Sequence, residues 1–399
     1  MLSGCASHTP LSKTNLEYQL DTRIPIQAQS RCWIEGDSTY IISKIKLADL
    51  GAEVADNSLR DRFRLSWALY PSYDEAEPLA QDSVYGFQVY RYDDGDFGLK
   101  VSLPKTLQAS TQVWVLTLQE KSTSLQYQHD LLVDLQSYDA AYHLALKRPQ
   151  DALPLPGNHY SSTDTLELLG PTNTQLYIKY LADPFPAALP AMAISGSAKG
   201  PGITSLNPVS RTQRITFSNP GLYQYVSDTN NKRTPGLSFV VRPPLFPKVA
   251  KTQDLINPLI YITTRDEKKR LADSDAPKLT LDQFWINIGS NPDNARRIIR
   301  EYYQQVEGAN QLFTNYKEGW KTDKGIIYIV FGKPDKVYKS DLIETWVYTS
   351  ASAQQQYKFD FTRKPTIFTP DNWELNRFSE YADFWYSTVD SWRRGILRN

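Results

Sequence analysis

The stretch GWKTDKGIIYIVFGKPDKVY, residues 319–338, decides how the C-terminal part of the chain folds and whether it is read as an enzyme. Thr322 and Asp323 carry side chains suited to bonding nearby backbone amides, which fixes a turn. Gly325 reads as a residue at positive φ just before a strand. Ile326, Tyr328 and Val330 then alternate with Ile327, Ile329 and Phe331. A strand apolar on both faces is expected to be covered on both. Gly332, Lys333, Pro334 and Asp335 turn the chain. TWVY (345–348) and YKFDF (357–361) continue an antiparallel meander around Trp346, the second with clean alternation and so one wet face.

Chemistry in this stretch is limited by its residue types. Gly332-Lys333 is not a phosphate-binding loop: the upstream Gly is missing, Pro334 follows Lys333 where Ser or Thr is needed, and the next element is extended. All four histidines (His8, His129, His143 and His159) precede residue 160, and neither cysteine lies beyond it. A Ser-His-Asp triad, a Cys-His dyad or a His/Cys zinc site built from the C-terminal region alone is therefore excluded. The enzymatic option left is a carboxylate pair drawn from Asp323, Asp335, Glu344 and Asp360, of the kind glycosidases use. Carboxylates at turns and strand ends more often serve as caps or solvated groups. No catalytic residue, metal or cofactor is assigned.

Upstream, NPD (291–293) starts a helix with a capping Asn, Pro at the first position and an acid in the first turn. Ala295, Ile299, Tyr302, Val306, Ala309 and Phe313 follow at alternating spacings of four and three, one apolar stripe. Arg296, Arg300, Gln304, Glu307 and Gln311 lie on the other side. TLDQFW (280–285) reads as a shorter helix before it.

Further out, the chain is all strands. CWI, TYIISKIKL, RFRLSWALY, YGFQVYRY, QVWVLTL and HDLLVDL fill a first β-sandwich domain over residues 12–140, with RYDDGDFG (91–98) as a plain Asp-Gly hairpin and not a calcium loop. Residues 141–160 form a linker. TLELLG, QLYIKYL, TQRITF, GLYQYV and LSFVVRP then build a second, Ig-like sandwich over 161–245, in which NPGLYQY resembles an immunoglobulin corner. The Pro/Gly-punctuated loop at 181–208 is a flap or part of an interface. A linker at 246–254 leads to an α+β domain over 255–399 that combines an antiparallel sheet with the long amphipathic helix.

The chain has 399 residues, enough for several cores, and carries 25 Tyr, 15 Phe and 9 Trp, a mixture that favours sheets. Its 44 basic and 44 acidic side chains cancel, and the balance holds locally over 251–399, so no one-sided basic field for nucleic acid exists. No segment is long and apolar enough for a membrane helix. Residues 1–11 read as a lipid-anchor tail: Leu2-Ser3-Gly4-Cys5 resembles the lipobox of bacterial lipoproteins, in which the Cys is acylated, although only Met1 precedes it. That leaves Cys32 unpaired, a buried and inert thiol beside Trp33.

GWKTD (319–323), the apolar run after it, FGKPD (331–335) and ETWVY (344–348) together resemble the GWxTD-domain proteins of Bacteroidetes-type bacteria. FW (284–285), NPD (291–293) and REYY (300–303) are similar too, so the resemblance spans about residues 255–399, with Lys324 standing where Arg is expected. Members are commonly lipoproteins with β-rich regions before this domain, and the family brings no established enzymatic activity. Gly319, Trp320, Thr322, Asp323, Gly325, Gly332, Pro334, Asp335 and Trp346 therefore carry a structural role and no catalytic one. The resemblance implies residence in the cell envelope of a diderm bacterium. Residues 6–10 lack an acidic export cluster, which favours the periplasmic side of the outer membrane.

The expectation is a non-enzymatic, lipid-anchored scaffold or accessory subunit, attached to the membrane through acylated Cys5 and contacting other envelope proteins, in a secretion or motility complex. Two sandwiches would hold the GWxTD domain away from the bilayer. The first alternative is a glycan or peptidoglycan binder using Trp373, Trp385 or Trp392 as stacking platforms; packing of these tryptophans among Phe378, Phe384 and Tyr386 competes with it. The second is a carboxylate-based hydrolase.

Overall fold

A computed structural model describes residues 9–47, 58–83, 89–103, 111–182, 185–193, 202–209, 214–229, 235–349 and 355–396. Cys5 and its LSGC context lie outside the described residues, as do parts of the 181–208 loop.

The first region holds strands β1 (Ile26–Glu35) and β2 (Ser38–Leu47), a short helix α1 (Ser58–Arg62), and β3 (Phe63–Tyr70), β4 (Ala80–Ser83), β5 (Val89–Arg91), β6 (Phe97–Ser102), β7 (Gln112–Glu120) and β8 (Gln126–Val133). They form two antiparallel sheets, ordered β1-β2-β6-β5 and β4-β3-β7-β8. In β3, Phe63, Leu65, Trp67 and Leu69 are buried while Arg64 and Ser66 face out, the two-residue period of a half-covered strand. Ile41, Leu99 and Val101 from one sheet share a core with Leu65, Trp67, Trp114 and Leu116 from the other. Cys32 is buried in that core as a free thiol, its pKa pushed up to about 12 by burial. The Asp-Gly hairpin joins β5 to β6, with Gly95 at φ +86° and the Tyr92 amide bonded to the Asp96 carbonyl. Asp94 and Asp96 there are ion-paired with Lys44, and Asp94 also with Arg148.

Helix α2 (Asp139–Tyr142) leads to the second region: β9 (Ala145–Lys147), β10 (His159–Ser161), β11 (Thr165–Leu169), β12 (Tyr177–Leu181), β13 (Ser205–Pro208), β14 (Ile215–Thr216), β15 (Gly221–Val226) and β16 (Leu237–Arg242). The sheets run β10-β16-β15-β12-β13 and β14-β11-β9, with β10 parallel to β16. At NPGLYQY the Tyr223 hydroxyl donates to the Asn219 carbonyl at 3.0 Å, tying the corner to the backbone four residues upstream.

The last region contributes α3 (Thr252–Ile256), α4 (Arg265–Ala272), α5 (Pro277–Gly289), α6 (Pro292–Phe313), α7 (Asp323–Phe331), β17 (Lys336–Lys339), β18 (Ile343–Thr349), β19 (Gln356–Arg363), β20 (Trp373–Leu375) and α8 (Tyr381–Arg393). Asn291 caps α6 by accepting from the Asn294 amide at 2.9 Å. Along α6 it is Ile298, more than Ile299, that reaches the core, beside Tyr302, Tyr303, Val306 and Ala309. Strands β17-β18-β19-β20 form one antiparallel meander.

The expected strand at 326–331 is instead helix α7. Thr322 caps it, its hydroxyl accepting from the Gly325 amide at 3.0 Å, and Gly332 ends it at φ +76°. Every residue from Ile326 to Phe331 is buried, because α7 packs among α6, β20 and α8. An element apolar all round carries no periodicity with which to tell a covered strand from a covered helix.

The three regions interlock. Two short turns, Leu11–Lys13 and Glu17–Leu20, form an N-terminal arm that bridges the first and last regions: Leu11 is buried with Tyr73, Val113 and Val115, the Ser12 amide donates to the Tyr73 carbonyl at 3.0 Å, and both turns lie against β17 of the last region. There the Leu16 amide donates to the Val337 carbonyl at 2.9 Å, and Asn15 Oδ1 accepts from the Val337 amide at 2.9 Å. The Tyr18 hydroxyl takes both backbone groups of Gln128 on the edge strand β8, at 3.1 and 3.2 Å. In the loop between β19 and β20, Thr366 and Thr369 accept from the Tyr138 hydroxyl of the first region. Ile367 of that loop accepts from Gln224 of the second at 2.7 Å. The described residues 185–193 of the 181–208 loop lie against the last region, where the Ala188 amide donates to the Lys321 carbonyl and Arg377 to that of Leu189.

Candidate functional site

The GWKTD stretch is a corner where three backbones meet. A Cβ on Gly319 would fall 1.9 Å from the Ala309 carbonyl oxygen of α6. One on Gly325 would fall 1.9 Å from the carbonyl oxygen of Gly319 itself. Gly325 is thus required by close approach and not by a positive φ, contrary to expectation. Trp320 is half-buried; its amide donates to Asn310 Oδ1 at 3.1 Å and its carbonyl accepts from the Tyr261 hydroxyl at 3.2 Å. The Thr322 hydroxyl donates to the Gly319 carbonyl at 2.8 Å. Asp323, buried at the first position of α7, accepts from the Leu375 amide at 2.7 Å and from both terminal nitrogens of Arg377, at 3.0 and 2.6 Å. That bidentate pair ties the helix start to the segment after β20.

The other motif residues are also taken up by the fold. Gly332 offers its carbonyl to the Tyr348 hydroxyl at 2.8 Å. Pro334 is buried and Asp335 exposed, with Asp335 accepting from the Thr349 amide at 2.6 Å. Asp360 accepts from the Thr345 hydroxyl at 2.6 Å. Trp346 is fully buried and donates its indole N–H to Glu344 Oε1 at 2.7 Å.

From Glu344 a chain of charges runs across the seam between the last and first regions. Lys324, beside the corner, binds Glu344 Oε2 at 2.7 Å. Glu344 lies opposite Lys339 in the β17–β18 register, and Lys339 reaches Asp130 of β8 at 2.9 and 3.1 Å and Gln19 of the arm at 2.7 Å. Tyr73 donates its hydroxyl to Asp130 as well. Burial alone would raise Glu344, but the charges of Lys324 and Lys339 overcome it and hold the carboxyl below its ordinary value. The same contest leaves Asp130 well below and Lys339 above their usual ranges, each stabilised by the other. His129, next in β8, is kept neutral by burial, its pKa lowered to about 4. Such a chain suits counter-ions; a general acid needs a raised carboxyl pKa.

These side chains line a crevice of about 650 Å³ between β1, β8, the arm and the last region. Trp373 stands half-buried at its wall, with the Lys324 ammonium 4.3 Å from the ring centre. Trp385 and Trp392 are not platforms: they are 3% and 8% exposed, packed on Phe331 and Tyr302, and the Trp392 indole donates to the Val330 carbonyl at 2.8 Å. Among the described residues no cluster of His, Cys, Asp and Glu has metal-binding geometry, and no helix is long and apolar enough to cross a membrane. Sequence reasoning missed Arg377, Lys339 and Asp130, since each partner lies far along the chain. Glu344 within ETWVY and Lys324 just after GWKTD were the visible end of the network.

No curated protein matches the chain. The family model described as GWxTD domain matches residues 221–394, beginning at β15 and so earlier than the 255 read from the motifs. The packing accounts for the earlier start: Leu222 and Val240 of β15 and β16 share a cluster with Tyr316 and Phe368, and Arg242 pairs with Glu318 at 2.5 Å. The chain is a GWxTD domain-containing protein, with that domain spanning residues 221–394.

Proposed function

We propose that the protein is a non-enzymatic, lipid-anchored scaffold or accessory subunit of the bacterial cell envelope, held on the periplasmic side of the outer membrane through Cys5. The observation that carries this reading is that the polar groups of the GWxTD corner are consumed by the fold itself, in caps, an ion pair and backbone bonds. A motif spent on rigidity suits a body that others dock on. The interlock of arm, loops and charged seam supports the same view. The two β regions read as sandwiches that serve as docking bodies. They are not spacers: Leu16 is bonded to Val337, and the eleven residues from Cys5 to Leu16 extend about 40 Å at most. An acylated Cys5 therefore keeps the GWxTD sheet close to the bilayer.

Mild crosslinking and pull-down from envelope membranes, comparing wild type with Cys5→Ala, tests this. The expected result is a defined envelope partner and outer-membrane fractionation for wild type, both lost in Cys5→Ala. Recovery of no partner together with unchanged fractionation defeats the reading.

One observation favours glycan binding as a second reading: Trp373 lines the crevice beside Asp371 and Asn372. Quenching of tryptophan fluorescence by peptidoglycan fragments, abolished in Trp373→Ala, is its signature. The carboxylate-hydrolase alternative has no observation in its favour, since Asp323, Asp335, Glu344 and Asp360 are each engaged as described.

A further inference from the structure

Strand β1 carries a cation that no carboxylate among the described residues answers. Gln27, Gln29, Arg31 and Trp33 alternate with the core-facing Ile26 and Cys32, so Gln29 and Arg31 share one face, and both line the crevice. Arg31 Nη2 donates to the Leu144 carbonyl at 2.7 Å and, at 3.4 Å, to that of Ala141. Its Nε is buried without an acceptor. The ionisable groups around it are Tyr160, Cys32 and Tyr142, all kept neutral by burial. Asp139, at the start of α2, is turned to His143 at 3.4 Å.

A guanidinium keeps its proton inside a protein. A charge taken out of water is tolerated when it is paired, and carbonyl dipoles on one nitrogen do not neutralise it. The seam elsewhere in the crevice follows that rule, with Asp130 and Glu344 answering Lys339 and Lys324. Arg31 departs from it, and so does Arg363 of β19, whose Nε donates to the Pro370 carbonyl at 3.2 Å and whose Nη2 is buried without an acceptor. We infer that the crevice binds a small ligand bearing an oxyanion, a phosphate or carboxylate group, which pairs with the Arg31 guanidinium. This goes beyond the scaffold reading and does not depend on it.

The test is thermal unfolding of the full chain titrated with sodium phosphate and, separately, with sodium acetate, at ionic strength fixed with sodium chloride. The expected result is a midpoint that is flat at low concentration and then rises with the logarithm of the anion concentration, by about 2–4 °C over the titration. A response to phosphate alone assigns a phosphate ester, to acetate alone a carboxylate, and to both their shared chemistry. Arg31→Gln is expected to raise the concentration at which the rise sets in at least about tenfold, as loss of a charged hydrogen bond does. Gln29→Glu changes an exposed side chain and supplies a resident carboxylate two positions along the same strand face. It is expected to weaken the response about as much, and it decides the matter if Arg31→Gln does not fold. Absence of any rise beyond that given by sodium chloride with either anion in wild type, or an unchanged onset concentration in Gln29→Glu, overturns the proposal.

Discussion

At the GWxTD corner, backbones touch with nothing between them; at the seam, long side chains do all the reaching. The corner holds Gly319 against α6 and Gly325 against Gly319 by the absence of a Cβ, then locks the result with the Asp323–Arg377 pair. The seam joins elements far apart in sequence through Lys324, Glu344, Lys339 and Asp130. The first arrangement tolerates no added atom. The second tolerates exchange, provided that charges are exchanged together. The difference teaches which part of the molecule is fixed by shape and which by charge balance.

Substitutions can separate the two. Gly319→Ala puts a methyl into the Ala309 carbonyl and is expected to destabilise by about 5 kcal/mol, at the exceptional end for one substitution. The denaturant midpoint of tryptophan fluorescence reads it; a shift below 1 kcal/mol would mean that α6 yields easily and the corner is not fixed by shape. Asp323→Ala strands the Arg377 guanidinium and is expected to cost about 3–4 kcal/mol in the same assay. Lys339→Met leaves Asp130 buried without its cation, an expected loss of about 3 kcal/mol. The double change Asp130→Leu with Lys339→Met is expected to recover most of it, since a matched apolar pair replaces a buried ion pair at little net cost. Failure of the double to recover would show that the seam, too, is fixed by shape. Thr322→Ala removes one helix cap and is expected to cost about 1 kcal/mol.

Acid sharpens the same contrast. His129 and His159 are held neutral at about pKa 4, below their ordinary value of 6.5. The folded state thus binds fewer protons than the unfolded one between those values, so stability rises with pH across that window. Their contribution is complete above about pH 6.5 and lost as pH falls towards 4. Asp130 and Glu344, both depressed, give up theirs on the acid side of the ordinary carboxyl range. Lys339, raised, gives up its share only as pH climbs above its ordinary 10.5. Unfolding midpoints measured from pH 7 to 4 should fall less steeply in His129→Gln than in wild type.

What the residues disclosed depended on range. Capping at Asn291, the meander through Trp346 and the Asp93–Gly95 hairpin are local devices, and each lies where its side chains put it. The motif itself was legible as structure and as family. Residues 326–331 were not, because a helix buried on every side shows the same unbroken apolar run as a covered strand. Gly325 was assigned the wrong reason for the same cause: its constraint comes from Gly319, folded back upon it. The seam was the least visible, since the Asp in β8 and one of the two Lys in β17 carry no mark of each other.

The arm has a mechanical consequence. With Ser12 bonded to Tyr73, Leu16 to Val337 and Tyr18 to Gln128, a pull on the arm from its N-terminal side meets the loop between β3 and β4 first and then β17 and β8, which the arm bridges. Load would pass into the first β region and then into the GWxTD sheet, bypassing the second β region, so a pull on the arm would strain the joint between the first and last regions.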